Sequence, residues 1–142
     1  MASRQRIPIP QSGTPAVPRT PTSRGPGHST PYGAAKLFGE RLGKVYALTR
    51  GLSVIAVRIG WVRPGENRAE DVPPERGDWF RLMWLSSQDF GNLLECCLTA
   101  GTDLRFAIVN GMSANTGMRW DIAHTRQLLG YEPRDDVTRA RG

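Results

Sequence analysis

Tyr32-Gly33-Ala34-Ala35-Lys36-Leu37-Phe38-Gly39-Glu40 is the stretch whose reading decides the fold. Leu37, Phe38, Leu42, Val45 and Tyr46 recur at helical spacing, so the stretch predicts the start of an amphipathic helix with one apolar face. Pro31 suits the first helical position, and Ser29 or Thr30 is placed to cap the free backbone N–H groups. Tyr32 and Lys36 stand four apart, share a helix face and can converge on one ligand. A phenol with its ordinary pKa of about 10 is a poor proton shuttle at neutral pH. A neighbouring ammonium favours the phenolate, which makes such a tyrosine a candidate general acid/base. The plain alternative is a tyrosine in the first turn beside a solvated lysine, because many amphipathic helices carry this spacing.

Ahead of this helix the composition changes. The chain has 142 residues and a formal net charge of +6, one domain's worth at most. Before Pro31 stand Arg4, Arg6, Arg19 and Arg24 with no acidic residue, whereas acids and bases are nearly matched afterwards. The basic character therefore belongs largely to residues 1–30. Pro8, Pro10, Pro15, Pro18, Pro21 and Pro26 deny this segment helix and central-strand hydrogen bonding, which predicts a disordered or polyproline-like tail, or a long surface loop. A basic arm touching nucleic acid is a weaker reading, since the arginines are sparse and no aromatic residue interleaves with them. A proline-motif ligand for a recognition domain is another.

Cys96 and Cys97 are adjacent and have no other thiol to pair with, so core packing of Cys97 beside Leu93 and Leu94 is expected ahead of a vicinal redox pair. His28 and His124 lie far apart without a supporting Cys or carboxylate cluster, so no metal site is expected. No apolar run is long enough to span a bilayer and no signal-like start is present, which predicts a soluble, cytoplasmic protein.

Beyond Gly51, a suitable helix stop, residues 52–60 are rich in β-branched side chains and read as a buried parallel strand. Residues 61–77 have no period and predict an irregular loop or a short accessory helix. Trp79, Phe80 and Trp84 fall within 78–85, where packing is favoured over a pocket. Ser86-Ser87-Gln88-Asp89 predicts a helix cap, with Ser86 as N-cap and the Asp89 carboxylate bonding back, ahead of an apolar stripe of Phe90, Leu93, Leu94 and Cys97. Residues 105–111 predict a second buried strand. Residues 121–129 predict a last amphipathic helix, stopped at Gly130 and closed by Tyr131-Glu132-Pro133. Helices alternating with strands in this order predict an α/β fold with parallel strands.

Four stretches now stand in order: Tyr32 to Lys36 with Glu40, Val57-Arg58-Ile59-Gly60, Trp84 to Asp89, and Leu128-Leu129-Gly130-Tyr131-Glu132-Pro133. Together they resemble the extended short-chain dehydrogenase/reductase superfamily, NAD-dependent epimerase/dehydratase family, near the uronate dehydrogenases. The resemblance implies Tyr32 as the proton-transferring residue and Lys36 as the residue that holds the cofactor's ribose hydroxyls and favours the Tyr32 phenolate. It implies that Ile59, Gly60 and Trp61 border the nicotinamide of NAD or NADP. It also implies a small sugar-like substrate and a homo-oligomer contact through the Tyr32 helix. Arg68 and Arg81 are the candidates for gripping a substrate carboxylate.

The sequence departs from that pattern in definite ways. It holds no strand followed by a Gly-x-x-Gly-x-x-Gly turn, and Gly25-Pro26-Gly27 puts a proline where N–H donors are wanted. Ser12, Ser23 and Ser29 lie in the Pro-rich stretch and do not replace the family's upstream catalytic Ser or Thr. Trp61 stands where a small hydroxyl residue is usual. The expectation is a truncated Rossmann-like fold: 31–142 as the C-terminal part, the Gly-rich half missing, stability marginal or oligomer-dependent, and no activity from this chain alone. The alternative is a non-catalytic remnant or an interaction module using the Tyr32 helix face.

Overall fold

Thr30 has an extended backbone, its side chain accepts from the Gly33 N–H at 3.1 Å, and Pro31 occupies the first helical position; together they start α1 (Pro31–Arg50). Gly51, at φ 67°, ends the helix in the left-handed conformation that favours glycine. The computed structural model describes residues 30–139. Of the expected tail, 1–30, all but Thr30 lies outside the described residues.

Two strands follow from the two β-branched runs, β1 (Val54–Ile59) and β2 (Phe106–Gly111). They pair in parallel from Val54↔Phe106 to Ile59↔Gly111. Strand β1 is shorter than the expected 52–60: Leu52 and Ser53 stay outside, and the Ser53 hydroxyl donates to the Leu104 carbonyl at 2.6 Å. The connection holds 3-10 turns at Ala69–Asp71 and Pro74–Arg76, then α2 (Asp78–Arg81) and α3 (Ser87–Leu98). The last helix, α4 (Ala123–Leu129), begins two residues later than expected: Ile122 stands at the N-cap position, and Asp121 before it accepts at Oδ1 from the Ala123 N–H at 2.7 Å. The fold is thus mixed α/β, with a small parallel sheet flanked by helices.

Helices α1 and α3 take opposite faces of the sheet. Gly43 of α1 lies against Val54, while Leu93 of α3 lies so close to Gly111 that a Cβ there would overlap Leu93 Cδ2. The orientation of α1 departs from the simplest reading of its apolar face. Glu40, Gly43 and Ala47 form the line toward the sheet, and Ala47 is the buried residue of the helix. Phe38, Leu42, Val45 and Tyr46 remain exposed, Phe38 at 67%. Small residues and one ion pair let α1 approach the strands closely, which turns the larger apolar side chains outward.

The buried mass lies on the carboxyl-terminal side. Ala69, Val72, Phe80, Trp84 and Val137 form one cluster, with Trp61, Leu82 and Met83 packed against it. Of the aromatic run, Phe80 and Trp84 are buried and Trp79 is half exposed, so packing accounts for most of it. Cys96 and Cys97 are free and half-buried, and burial raises both thiols above the usual range. Among the described residues no helix is long and apolar enough to cross a membrane.

The Ser86 cap forms as expected, its Oγ accepting from the Asp89 N–H at 3.0 Å. The Asp89 carboxylate, however, does not bond back along its own helix. It accepts from Ser113 Oγ at 2.6 Å and from the backbone N–H groups of Arg134 and Asp135 at 2.8 and 3.1 Å, tying the carboxyl-terminal segment to α3. The Ser113 hydroxyl is fully buried and the two N–H groups partly so, and Asp89 gives all three an acceptor. Asp136 makes a second tie. Burial alone would raise its carboxyl, but bonds from the hydroxyls and N–H groups of Thr116 and Thr138 outweigh it and hold the pKa down at about 2.

Candidate functional site

The site is framed by an ion pair between α1 and β1. Arg58 Nε and Nη2 donate to the two carboxylate oxygens of Glu40 at 2.8 and 3.0 Å, a bidentate pairing. The Arg58 guanidinium is raised by that hydrogen bond, which outweighs the desolvation acting against it. Gly43 sits by Val54 while Glu40 reaches Arg58, so α1 runs against the direction of β1. At about 1.5 Å per residue, Lys36 and Tyr32 lie about 6 and 12 Å nearer the helix start than Glu40. Both therefore project toward the carboxyl end of β1, the end where open α/β sheets bind ligands.

At that end the Lys36 ammonium lies 5.1 Å from the centroid of the Tyr32 ring. Tyr32 is 73% exposed. A cation held against an exposed phenol can stabilise negative charge on the oxygen and still offer N–H donors to a ligand.

The remaining site candidates are arranged as follows. Ile59, 46% exposed, ends β1. Gly60 donates to the Gly111 carbonyl at 2.8 Å, and a Cβ there would overlap the Met83 carbonyl oxygen, so close backbone packing alone requires glycine. Trp61 donates its N–H to Met83 O at 2.7 Å and accepts from the Leu85 N–H at 2.9 Å, while its indole leans on Phe80 at 5.6 Å. Arg68 is paired with Glu66, and Arg81 donates to the Val137 carbonyl at 2.8 Å. Among the described residues no hydrogen bond or ion pair joins either arginine to Tyr32 or Lys36, and no His, Cys, Asp and Glu group could hold a metal.

Two features escaped the sequence reading. The Glu40–Arg58 pair was legible only as opposite charges inside two motifs. Asn67 gave less: it is buried with φ 47°, its Oδ1 accepts from the Arg63 N–H and Trp84 Nε1, and its Nδ2 donates to the Leu85 carbonyl. It fixes the excursion after β1 against the 84–85 segment, and the Pro64-Gly65-Glu66-Asn67 turn composition was its only trace.

No protein-family model matches the sequence. The NAD-dependent glucose-6-phosphate dehydrogenase of Haloferax volcanii is 39% identical over 111 residues, 78% of this chain and 39% of that protein. The L-arabinose 1-dehydrogenase (NAD(P)+) of the same organism is 35% identical, covering 74% of this chain and 42% of the relative. Uronate dehydrogenase from Agrobacterium tumefaciens superimposes with a TM-score of 0.59 at 33% identity, over 75% of this chain and 36% of that one. A tyrosine-to-alanine variant of that enzyme has been solved in complex with NAD. This chain's relatives are NAD(P)-dependent sugar and sugar-acid dehydrogenases, which fits a part of an extended short-chain dehydrogenase/reductase fold. The chain spans about two fifths of the length of the relatives it matches.

Proposed function

We propose that this chain carries the proton-transfer part of an NAD- or NADP-dependent oxidoreductase acting on a hydroxyl or carbonyl of a sugar or sugar acid. The carrying observation is the exposed Tyr32 phenol with the Lys36 ammonium 5.1 Å from its ring, directed toward the carboxyl end of β1. The NAD(P)-linked sugar dehydrogenases among its relatives support the same reading. A nicotinamide cofactor would supply the hydride acceptor or donor. In the oxidative direction Tyr32 Oη takes the proton of the substrate hydroxyl as the carbon gives up hydride, and in reduction it returns a proton to the carbonyl oxygen. Lys36 offers its donors to ribose hydroxyls, and its charge opposes the negative charge left on Oη.

Ile59, Gly60 and Trp61 border the nicotinamide in this reading. Arg68 and Arg81 would have to exchange Glu66 and the Val137 carbonyl for a substrate carboxylate. Residues 31–142 act as a C-terminal catalytic part working in the cytoplasm. This chain is inactive by itself, because its sequence offers no Gly-rich turn to hold a pyrophosphate.

The test is a graft in which residues 31–139 replace the matching part of the Haloferax glucose-6-phosphate dehydrogenase, assayed with NAD and glucose 6-phosphate, L-arabinose or glucuronate. Tyr32→Phe is expected to lower turnover by about a hundredfold or more with an unchanged melt. Equal turnover in the two grafts would overturn the role.

A second reading has its own observation: the outward line of Phe38, Leu42 and Val45 on α1. It makes α1 an association surface for a second copy, with or without catalysis. Sedimentation of the full chain tests it; a monomer at high concentration would dispose of it.

A further inference from the structure

The face of α1 that lies on the sheet is not its apolar one. Tyr32, Lys36, Glu40, Gly43 and Ala47 follow one another at spacings of three and four residues and share a single line along the helix. Gly43 and Ala47 set how closely that line approaches the strands. A Cβ at Gly43 would stand 3.0 Å from Val54 Cγ1 and 3.9 Å from Phe106 Cε2, and Ala47 adds one buried methyl. Side chains this small offer nothing that interlocks with the sheet. Apolar contact therefore fixes the distance of α1 and leaves its rotation weakly specified.

The Glu40–Arg58 pair supplies the direction that this contact lacks. Both carboxylate oxygens accept from the guanidinium, from Nε at 2.8 Å and from Nη2 at 3.0 Å, and a planar fork permits that only from one approach. Arg58 stands opposite Asn110 in the parallel register, so the fork is anchored to the sheet. Both side chains are partly buried. A pair at that depth loses solvation as it gains attraction, and apolar side chains of similar volume often replace such pairs with no loss of stability. Turning α1 by one residue, about 100°, would part the fork and swing Lys36 and Tyr32 off the line of the strand. The Lys36–Tyr32 contact at 5.1 Å lies within one helix and survives any rotation of α1 as a body. It cannot aim itself.

We propose that Glu40 and Arg58 are positioning residues that index the rotation and depth of α1 on β1, and so aim Tyr32 and Lys36 at the carboxyl end of the strand. The functional meaning of that aim rests on the role given to Tyr32 and Lys36 above; the seating of α1 does not.

The test is NMR of the full chain carrying Glu40→Leu together with Arg58→Met, which exchanges the fork for apolar side chains. The melting temperature is expected to be no lower than that of the wild type. The amide signals of α1 are expected to broaden or double, and the contact signal between Gly43 Hα and the Val54 methyls to weaken about twofold or more as other rotations share the population. Arg58→Lys, which keeps a cation on β1, is expected to retain one set of α1 signals and the Gly43–Val54 contact. A pair that serves stability alone gives the reverse, a lowered melt with α1 seated as before. That result, wild-type α1 signals in the double variant, or loss of the seat in Arg58→Lys would each overturn the proposal. The readout involves no turnover. Full turnover of the Tyr32→Phe graft would leave it standing, and an unmoved α1 overturns it whatever the graft shows.

Discussion

The α1–β1 side and the carboxyl-terminal side of this molecule are built to opposite standards. On the carboxyl-terminal side Leu85, Leu93, Tyr131 and Val137 are fully buried, and every buried side-chain polar atom described has a hydrogen-bond partner. Asp89, Asn115 and Asp136 knit distant segments there, and Asn67 secures the loop above them. On the other side α1 buries Ala47 and leaves Phe38, Val45 and Leu48 exposed, and among the described residues no strand pairs with the outer edge of β1. The first region is finished by its own residues. The second presents apolar surface of the kind that marks contact surfaces. The residues that resemble a catalytic pair stand on this second side.

The largest effect that would sharpen the contrast is expected at Asp89. Asp89→Ala leaves the Ser113 hydroxyl and the N–H groups of Arg134 and Asp135 without their acceptor, at a cost of about 4 kcal/mol in chemical denaturation. A loss near that of a surface mutation would mean the finished side is not held as described. Gly60→Ala forces a methyl against the Met83 carbonyl and is expected to cost about 2–3 kcal/mol, read as a lowered melting temperature.

Asp136 comes next, through pH. Its folded pKa, at about 2, lies below the ordinary value of 3.8, so its stabilisation is full above the unfolded pKa and lost as pH falls through the folded one. Asp136→Asn is expected to lower stability at neutral pH by about 2 kcal/mol and to flatten the acid limb between about pH 4 and pH 2. A variant with the wild-type acid limb would remove Asp136 from the account. The smallest effect is expected on the open side. Phe38→Gln should change the melt of a dilute sample by about 0.5 kcal/mol or less while weakening any self-association. A large loss in a dilute monomer would break the comparison, because it would make α1 part of the finished core.

What the sequence disclosed follows the same line. The α1 start at Thr30 and Pro31, the Gly51 and Gly130 stops, the Ser86 cap and both strands were legible, because each depends on neighbours a few residues away. The Tyr32–Lys36 pairing was legible for the same reason. The Asp89 carboxylate was not, since its partners lie 24 to 46 residues away and sequence spacing carries no record of them. The outward turn of Phe38 and Leu42 was hidden too: the decisive residues were Gly43, Ala47 and the Glu40–Arg58 pair, not the apolar stripe itself. Arg68 and Arg81 drew notice as candidates for the carboxylate-gripping arginine that the resemblance implies, which does not reveal that Glu66 and the Val137 carbonyl engage them.

The proposal to test most directly is that Tyr32 and Lys36 border a nicotinamide site whose phosphate-binding part this sequence does not supply. The measurement is the melting temperature, in excess NAD, of the full chain and of its graft in the Haloferax relative. At a hundredfold excess over the dissociation constant, a ligand bound only by the folded state stabilises it by about 2.7 kcal/mol. The account predicts no shift for the chain by itself and that shift in the graft. A full shift with this chain alone would contradict it.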